Sequence, residues 1–458
     1  MNGFASMPAR KPAWQAESPL HRVRRNIVLF LALTVVYHSN LRPVAAGDSL
    51  PAALLPFAVV LDGSVRLDRF APYLDKTVPY AAGVIRQVGG HWYSMYPIAG
   101  PLLTTPLYMP VALVPAMRRQ APATLVAAAR IAEKVTAAAW AAGAVMALLA
   151  LLRRLTSEGT AWILTAVYAF GTGNWSTASQ AMWQHTFGLI AIVGCMYAVE
   201  QRWYRVAGLC AALALAIRPT NVALLPALAL VLWHERARMR EWTEVFAAPA
   251  LAGAATAAYN FALFHSVGGR YSGQLDAHYL ERVAGLLFSP GRGLLIYTPI
   301  ALFALAAWSE RRRPVVMVAA AFCVLQIALT AIWPVWWGGY CWGPRLLTEI
   351  LPCLVVLIAA GWKTLWRGGW KWAFVAAAVY GCVIQGLGVY CYPKGHWDGR
   401  PVSVDEQPAR LWDWKDNPIA RTAMGGVAWE PYVIVGAAVM DGLPAAAEKM
   451  KELGVADY

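Results

Sequence analysis

Residues 22–49 read RVRRNIVLFLALTVVYHSNLRPVAAGDS, and this stretch sets what the rest of the chain must be. Arg22, Arg24 and Arg25 precede an apolar run, Ile27–Leu41, with no small-residue cleavage site after it. A basic flank and an apolar core without an A-x-A-type site predict a retained membrane helix and no removable leader. Just beyond that helix stands Gly47-Asp48-Ser49. An acid at such a mouth is a candidate general base facing the compartment outside the cytoplasm. It is equally a residue type that caps helices or starts turns, here ahead of Ser49 and Pro51.

Working outward, the same pattern recurs. The chain is 59% hydrophobic and only 14% charged, more apolar than a soluble core of 458 residues requires. Lipid offers the backbone no hydrogen-bond partners, so repeated apolar segments read as membrane helices. They fall near 26–41, 125–152, 160–179, 186–200, 205–218, 220–233, 244–264, 294–308, 314–333, 345–361 and 372–391. The expected fold class is therefore an all-α polytopic bundle of about eleven spans. Its parts are a cytoplasmic segment 1–25, a transmembrane domain 26–391 and an external C-terminal tail 392–458.

The net charge of +14 would suggest nucleic acid in a soluble protein. Here the basic residues cluster between apolar segments, at Arg153/Arg154, Arg202/Arg205, Arg236/Arg238/Arg240, Arg311/Arg312/Arg313 and Lys363/Arg367/Lys371. Such clusters anchor a protein to an anionic cytoplasmic leaflet, so the expected partner is membrane lipid and no nucleic acid. The seven Cys have no metal-like spacing and read as small core residues. No internal repeat of the kind that builds inverted-repeat transporters is visible.

The opposite loops hold the unusual residues. The first, 42–124, contains Asp48, Asp62, Asp68 and the run His91-Trp92-Tyr93-Ser94-Met95-Tyr96-Pro97. Its two Pro-punctuated apolar stretches, Leu50–Leu61 and Pro101–Val114, are expected to be helices lying along the membrane surface. Asp62-Gly63 is a turn signal, and Asp68 is a secondary acidic candidate that also has Arg69 beside it as an ion-pair partner. Arg218, Arg292 and Arg345 stand apart from the cytoplasmic clusters. A guanidinium at membrane depth is costly unless it meets an anion or snorkels, and a phosphate suits its planar fork. Trp336, Trp337, Tyr340 and Trp342, spaced by Gly, suit the apolar faces of a sugar or an interfacial belt. His185 and His278 are isolated and read as ordinary hydrogen-bonding residues.

These residues resemble a known family. Gly47-Asp48-Ser49-Leu50-Pro51-Ala52, Ser94-Met95-Tyr96-Pro97, Phe288-Ser289-Pro290-Gly291-Arg292-Gly293 and Trp336–Arg345 look like bacterial GT-C glycosyltransferases, of the protein-mannosyltransferase-like and aminoarabinose-transferase-like branch. The resemblance covers about 26–391. It implies a polyprenyl-phosphate-sugar donor, an inverting displacement onto an acceptor hydroxyl of a glycan, lipid or protein, and an acid in the first external loop as base. Asp48 matches that acid. Protein mannosyltransferases often carry Asp-Glu where this chain has Asp48-Ser49. The resemblance further implies a bacterial inner or plasma membrane; the charge pattern puts the expected active site on its external side, and nothing looks like the metal site of oligosaccharyltransferases, so neither cofactor nor metal is expected. Arg218, Arg292 and Arg345 would then hold the donor phosphate, and Tyr96, Trp336, Trp337, Tyr340 and Trp342 would contact sugar or acceptor. The competing reading is a transporter or flippase of a lipid-linked sugar, which needs charged sites inside the membrane. Glu133 and Lys134 are the candidates for such a site, and pairing with Arg130 within one helix is the simpler expectation.

Overall fold

The computed structural model describes residues 19–44, 46–77, 83–269, 275–367 and 369–453. Each of the predicted apolar segments carries helix, and the chain adopts a helical membrane fold. The first helix, α1, is Pro19–His38, and it breaks where Leu41 takes a positive φ ahead of Pro43. After the turn at residues 47–49 come α2 (Leu50–Asp62), α3 (Ala99–Ala112) and the 34-residue α4 (Pro122–Leu155). Then follow α5 (Glu158–Gly171), α6 (Gln184–Glu200), α7 (Tyr204–Ile217), α8 (Leu224–His234) and α9 (Met239–Phe264). Later helices include α10 (Tyr279–Phe288), α11 (Pro314–Ala331), α12 (Leu351–Ala360) and α13 (Lys371–Tyr390).

Four of these, α4, α9, α11 and α13, are long and apolar enough to cross a membrane unaided. Others are shortened by identifiable breaks. Pro219 ends the helical run at Arg218, and Pro299 opens a stretch of tighter 3₁₀ helix to Glu310. The residues Leu351–Ala359 of α12 are buried without interruption, which makes it a central helix and not a peripheral one.

The first loop differs from expectation in two ways. α2 is not an amphipathic surface helix: its residues are buried on nearly all sides, in a second core shared with α3, α4 and Phe187 of α6. α3 keeps the lipid-facing character, with Leu103, Leu107 and Met109 exposed. Between α2 and α3 lies a two-stranded antiparallel hairpin, β1 (Ile85–Val88) and β2 (His91–Ser94), in an otherwise helical fold. Gly89 and Gly90 both have positive φ, which a two-residue hairpin turn of the primed type requires.

Residues 392–417 fold back onto the loop that contains Trp336–Arg345, and Trp397 is buried there with its indole N–H donating to the Asp416 carbonyl. Beyond it, helices Pro418–Gly425 and Glu430–Met440, bent by 43° to one another, together reach the length and apolarity of a further span.

Candidate active site

The turn at Gly47-Asp48-Ser49 closes with the Leu50 N–H on the Gly47 carbonyl, 3.2 Å. Ser49, not Asp48, occupies the cap position of α2. The turn is pinned from α4. Arg130 donates to the Ala46 carbonyl (3.0 Å), to Ser49 Oγ (3.2 Å) and to Glu133 Oε2 (2.8 Å). Glu133 Oε1 in turn accepts from the Met182 N–H at 3.0 Å. The pairing of Arg130 with Glu133 is as expected. Lys134 departs from it: buried, its ammonium donates to Gln180 Oε1 at 2.6 Å and lies 3.5 Å from the Ser179 carbonyl.

Held this way, the Asp48 carboxylate faces two partners. Oδ1 accepts from the Tyr96 hydroxyl at 2.8 Å, and Oδ2 lies 2.6 Å from Arg345 Nη2. Asp48 is 35% exposed and Arg345 only 8%. The guanidinium also donates to the Gly338 carbonyl and lies over the Trp183 ring, 5.3 Å from its centroid. Its Nε is buried with no hydrogen-bond partner among the described residues. Tyr96 follows the hairpin directly, and its N–H donates to Ser94 Oγ at 3.1 Å. The first loop, the hairpin exit and the Gly338–Arg345 loop thus meet at one carboxylate.

Arg218 lies close by, since its Nη1 reaches the carbonyl of Leu346 (3.4 Å), the residue after Arg345. It is paired at 2.6 Å with Glu349 Oε2, which also faces His185 Nδ1 at 2.8 Å. All three side chains are buried, and Glu349 Oε1 has no donor among the described residues. Arg292 is fully buried and pairs with Asp398. It also donates to the Gly291 and Gly339 carbonyls (2.9 and 3.2 Å), and Tyr392 donates to Asp398 at 2.7 Å. Each of the three singled-out arginines has therefore met an anion, but a carboxylate of the protein itself. Sequence reasoning missed Glu349 and Asp398. A lone acid just ahead of the apolar run Leu351–Ala360 was a readable signal for the first; Asp398 lay in a polar segment with nothing to distinguish it.

The aromatic cluster is more internal than an interfacial belt. Trp336, Trp337 and Trp342 are buried, and Trp337 donates to Asp405 at 2.7 Å. Trp342 packs edge-on against Tyr297, centroids 5.4 Å apart. Tyr340 is exposed and bonds Ser403 at 3.0 Å. Of the five aromatic candidates, Tyr96 is the one whose hydroxyl donates to Asp48 among the bonds described above.

Asp68 has a different task from Asp48. Its carboxylate accepts from the Trp92 N–H and faces His91 Nδ1, both at 2.7 Å, and so fastens β2. Burial would raise its pKa, but the Trp92 and His91 bonds outweigh it and the net shift is downward. Arg69, its expected partner, pairs with Asp62. His278 faces Glu281 at the surface, 3.2 Å away. Among the described residues, no group of three His, Cys, Asp or Glu converges as a metal site.

No family model and no curated protein matches this sequence. Solved structures do. The crystal structure of ArnT from Cupriavidus metallidurans bound to undecaprenyl phosphate superposes with a TM-score of 0.54 at 13% identity, covering 94% of this chain and 74% of that one. The apo form gives 0.53 at 13% identity, with 93% and 74% covered. The chain shares the fold of ArnT. Almost all of it takes part in that likeness, including residues after 391 that the sequence resemblance left uncovered.

Proposed function

We propose that the protein transfers a sugar from a polyprenyl-phosphate donor to an acceptor hydroxyl at the external membrane face, with inversion. One observation carries this reading: a partly exposed carboxylate on the loop after the first helix, held by Tyr96 and Arg345, in a fold shared with a protein crystallised with undecaprenyl phosphate. Asp48 takes the proton of the acceptor hydroxyl as its oxygen attacks the anomeric carbon. The bond from that carbon to the phosphate breaks, and the phosphate leaves with the electron pair. Arg345 is the cation best placed to stabilise it, since its guanidinium lies directly against the Asp48 carboxylate. Arg218 and Arg292, each paired with a buried carboxylate, fix the loops on either side. Tyr96 orients the base, and of the five aromatic candidates exposed Tyr340 is the most open to sugar or acceptor. The buried Lys134, held by neutral groups, is the feature among the described residues that favours transport of a lipid-linked sugar instead.

The test is incubation of purified protein with a panel of polyprenyl-phosphate sugars and candidate acceptors, scoring free lipid phosphate. Release with at least one donor is expected. Vesicle-to-vesicle or leaflet exchange of the intact donor, without release, would replace the transferase by the transporter.

A further inference from the structure

At the end of the bundle away from Asp48, α7 and α9 begin side by side. They touch at Gly208, where a Cβ would lie only 2.6 Å from the carbonyl oxygens of Glu244 and Val245. Beside that contact an open groove of about 530 Å³ runs between the two helices. Its apolar lining is Leu209, Ala247 and Ala248. Its mouth carries Arg205 and Arg240, one from each helix.

The two arginines are arranged by a shared acid. Arg205 Nε and Arg240 Nε lie 3.1 and 3.0 Å from the same oxygen, Glu244 Oε1. Their side chains are nevertheless 73% and 79% exposed. Among the described residues, the terminal nitrogens of both guanidiniums have no protein partner. Glu244 thus spends one of its oxygens to orient two forks, and the three groups together retain a positive charge. Exposed Arg236 and Arg238 stand just before α9 and add to it.

The surroundings point to lipid. α9 is long and apolar enough to span, yet it buries little beyond Val245, Pro249 and Phe264. The groove therefore opens where a helix offers its apolar surface outward, at the end where charges collect. A ligand that fits both halves has a phosphate for the paired forks and hydrocarbon for the apolar lining. We propose that this groove binds an anionic phospholipid, with its phosphate between Arg205 and Arg240 and an acyl chain along Leu209, Ala247 and Ala248. The site is independent of the sugar-transfer reading and lies about 20 Å, one length of α7, from Arg218.

The experiment uses full-length, delipidated protein in neutral detergent and follows bound lipid by native mass spectrometry. Phosphatidylglycerol should bind and phosphatidylcholine of the same chains should not. The double variant Arg205→Gln/Arg240→Gln should bind phosphatidylglycerol roughly 30-fold more weakly, at about fivefold for each basic group. Leu209→Asp, at a position 60% exposed and so tolerant of change, should weaken it too and covers the case in which the double variant does not fold. Equal binding of the two lipids, or unchanged binding by these variants, overturns the proposal. So does displacement of the lipid by inorganic phosphate at equal concentration, which would make this a free-phosphate site.

Discussion

Asp48 and Arg345 are 297 positions apart, yet their side chains meet at 2.6 Å. Because Ser49 takes the cap of α2, Asp48→Asn should leave the helix start intact and keep an acceptor for Tyr96. As the base, it should lose roughly 10²–10⁴-fold in transfer rate while donor binding persists. A variant that retained more than about a tenth of the rate would remove Asp48 from the chemistry. Asp68 would be tested next, although its two bonds to the hairpin already occupy it. Arg345 acts on the other reactant. Arg345→Ala should cut kcat by about 10²-fold or more, and Arg345→Lys should recover only part, because Lys supplies a point charge and no fork. Arg312→Ala, at an exposed position in the opposite basic cluster, should change nothing. Small, equal effects at both sites would make Arg345 a structural cation only. Part of this was legible: a guanidinium in an apolar context signals an anion nearby. Which anion was not, because an ion pair between residues 48 and 345 or 292 and 398 leaves no trace in local pattern.

The segment 392–417 falls within what reads in sequence only as an external tail, because its order comes from tertiary partners. Trp397 lies between two guanidiniums, Arg292 at 5.3 Å and Arg410 at 4.8 Å from its ring centroid. Asp398 neutralises Arg292, and Leu411 bonds the Ser289–Gly291 turn. Asp398→Asn would strand a fully buried cation, at a cost of about 3–5 kcal/mol. A double replacement by apolar residues, Arg292→Met with Asp398→Leu, should restore much of the loss. Thermal unfolding of purified protein compares them, and an unshifted midpoint in Asp398→Asn would deny the pair its structural role. The hairpin was missed for another reason: four residues a side give too short an alternation to register, and only Gly89-Gly90 hinted at it. Its fastening by Asp68 has a pH signature. The folded pKa lies below the unfolded one, so the stabilisation is complete above about pH 4 and is lost as pH falls through the folded value. Asp68→Asn should remove it at neutral pH and loosen the strand that delivers Tyr96.

Across the whole molecule, charge is sorted by end. Arg313 meets Glu200, Arg202 meets Glu235, and Arg205 and Arg240 meet Glu244, all between segments whose other ends lead toward Arg218, Arg345 and Asp48. α4 gives the scale. From Arg130, which pins the Asp48 turn, to Arg153 at its other end is about 35 Å of helix, enough to bracket a hydrocarbon core of roughly 30 Å. The apolar segments were readable because lipid forces every spanning backbone into helix. The number of crossings was less so, because Pro-broken helices such as 299–310 are shorter than a membrane is thick. In the proposed topology, drawn from the positive-inside rule, the Arg153, Arg202 and Arg313 end would be cytoplasmic and the 392–417 segment outside with Asp48. A single cysteine at exposed Glu406 should then react with a membrane-impermeant maleimide in spheroplasts, and one at Arg312 only after lysis. The seven native thiols are buried or half-buried and should give little background. Glu406 and Arg312 reacting from the same side would leave Asp48 without the external compartment in which its acceptor and donor are proposed to meet.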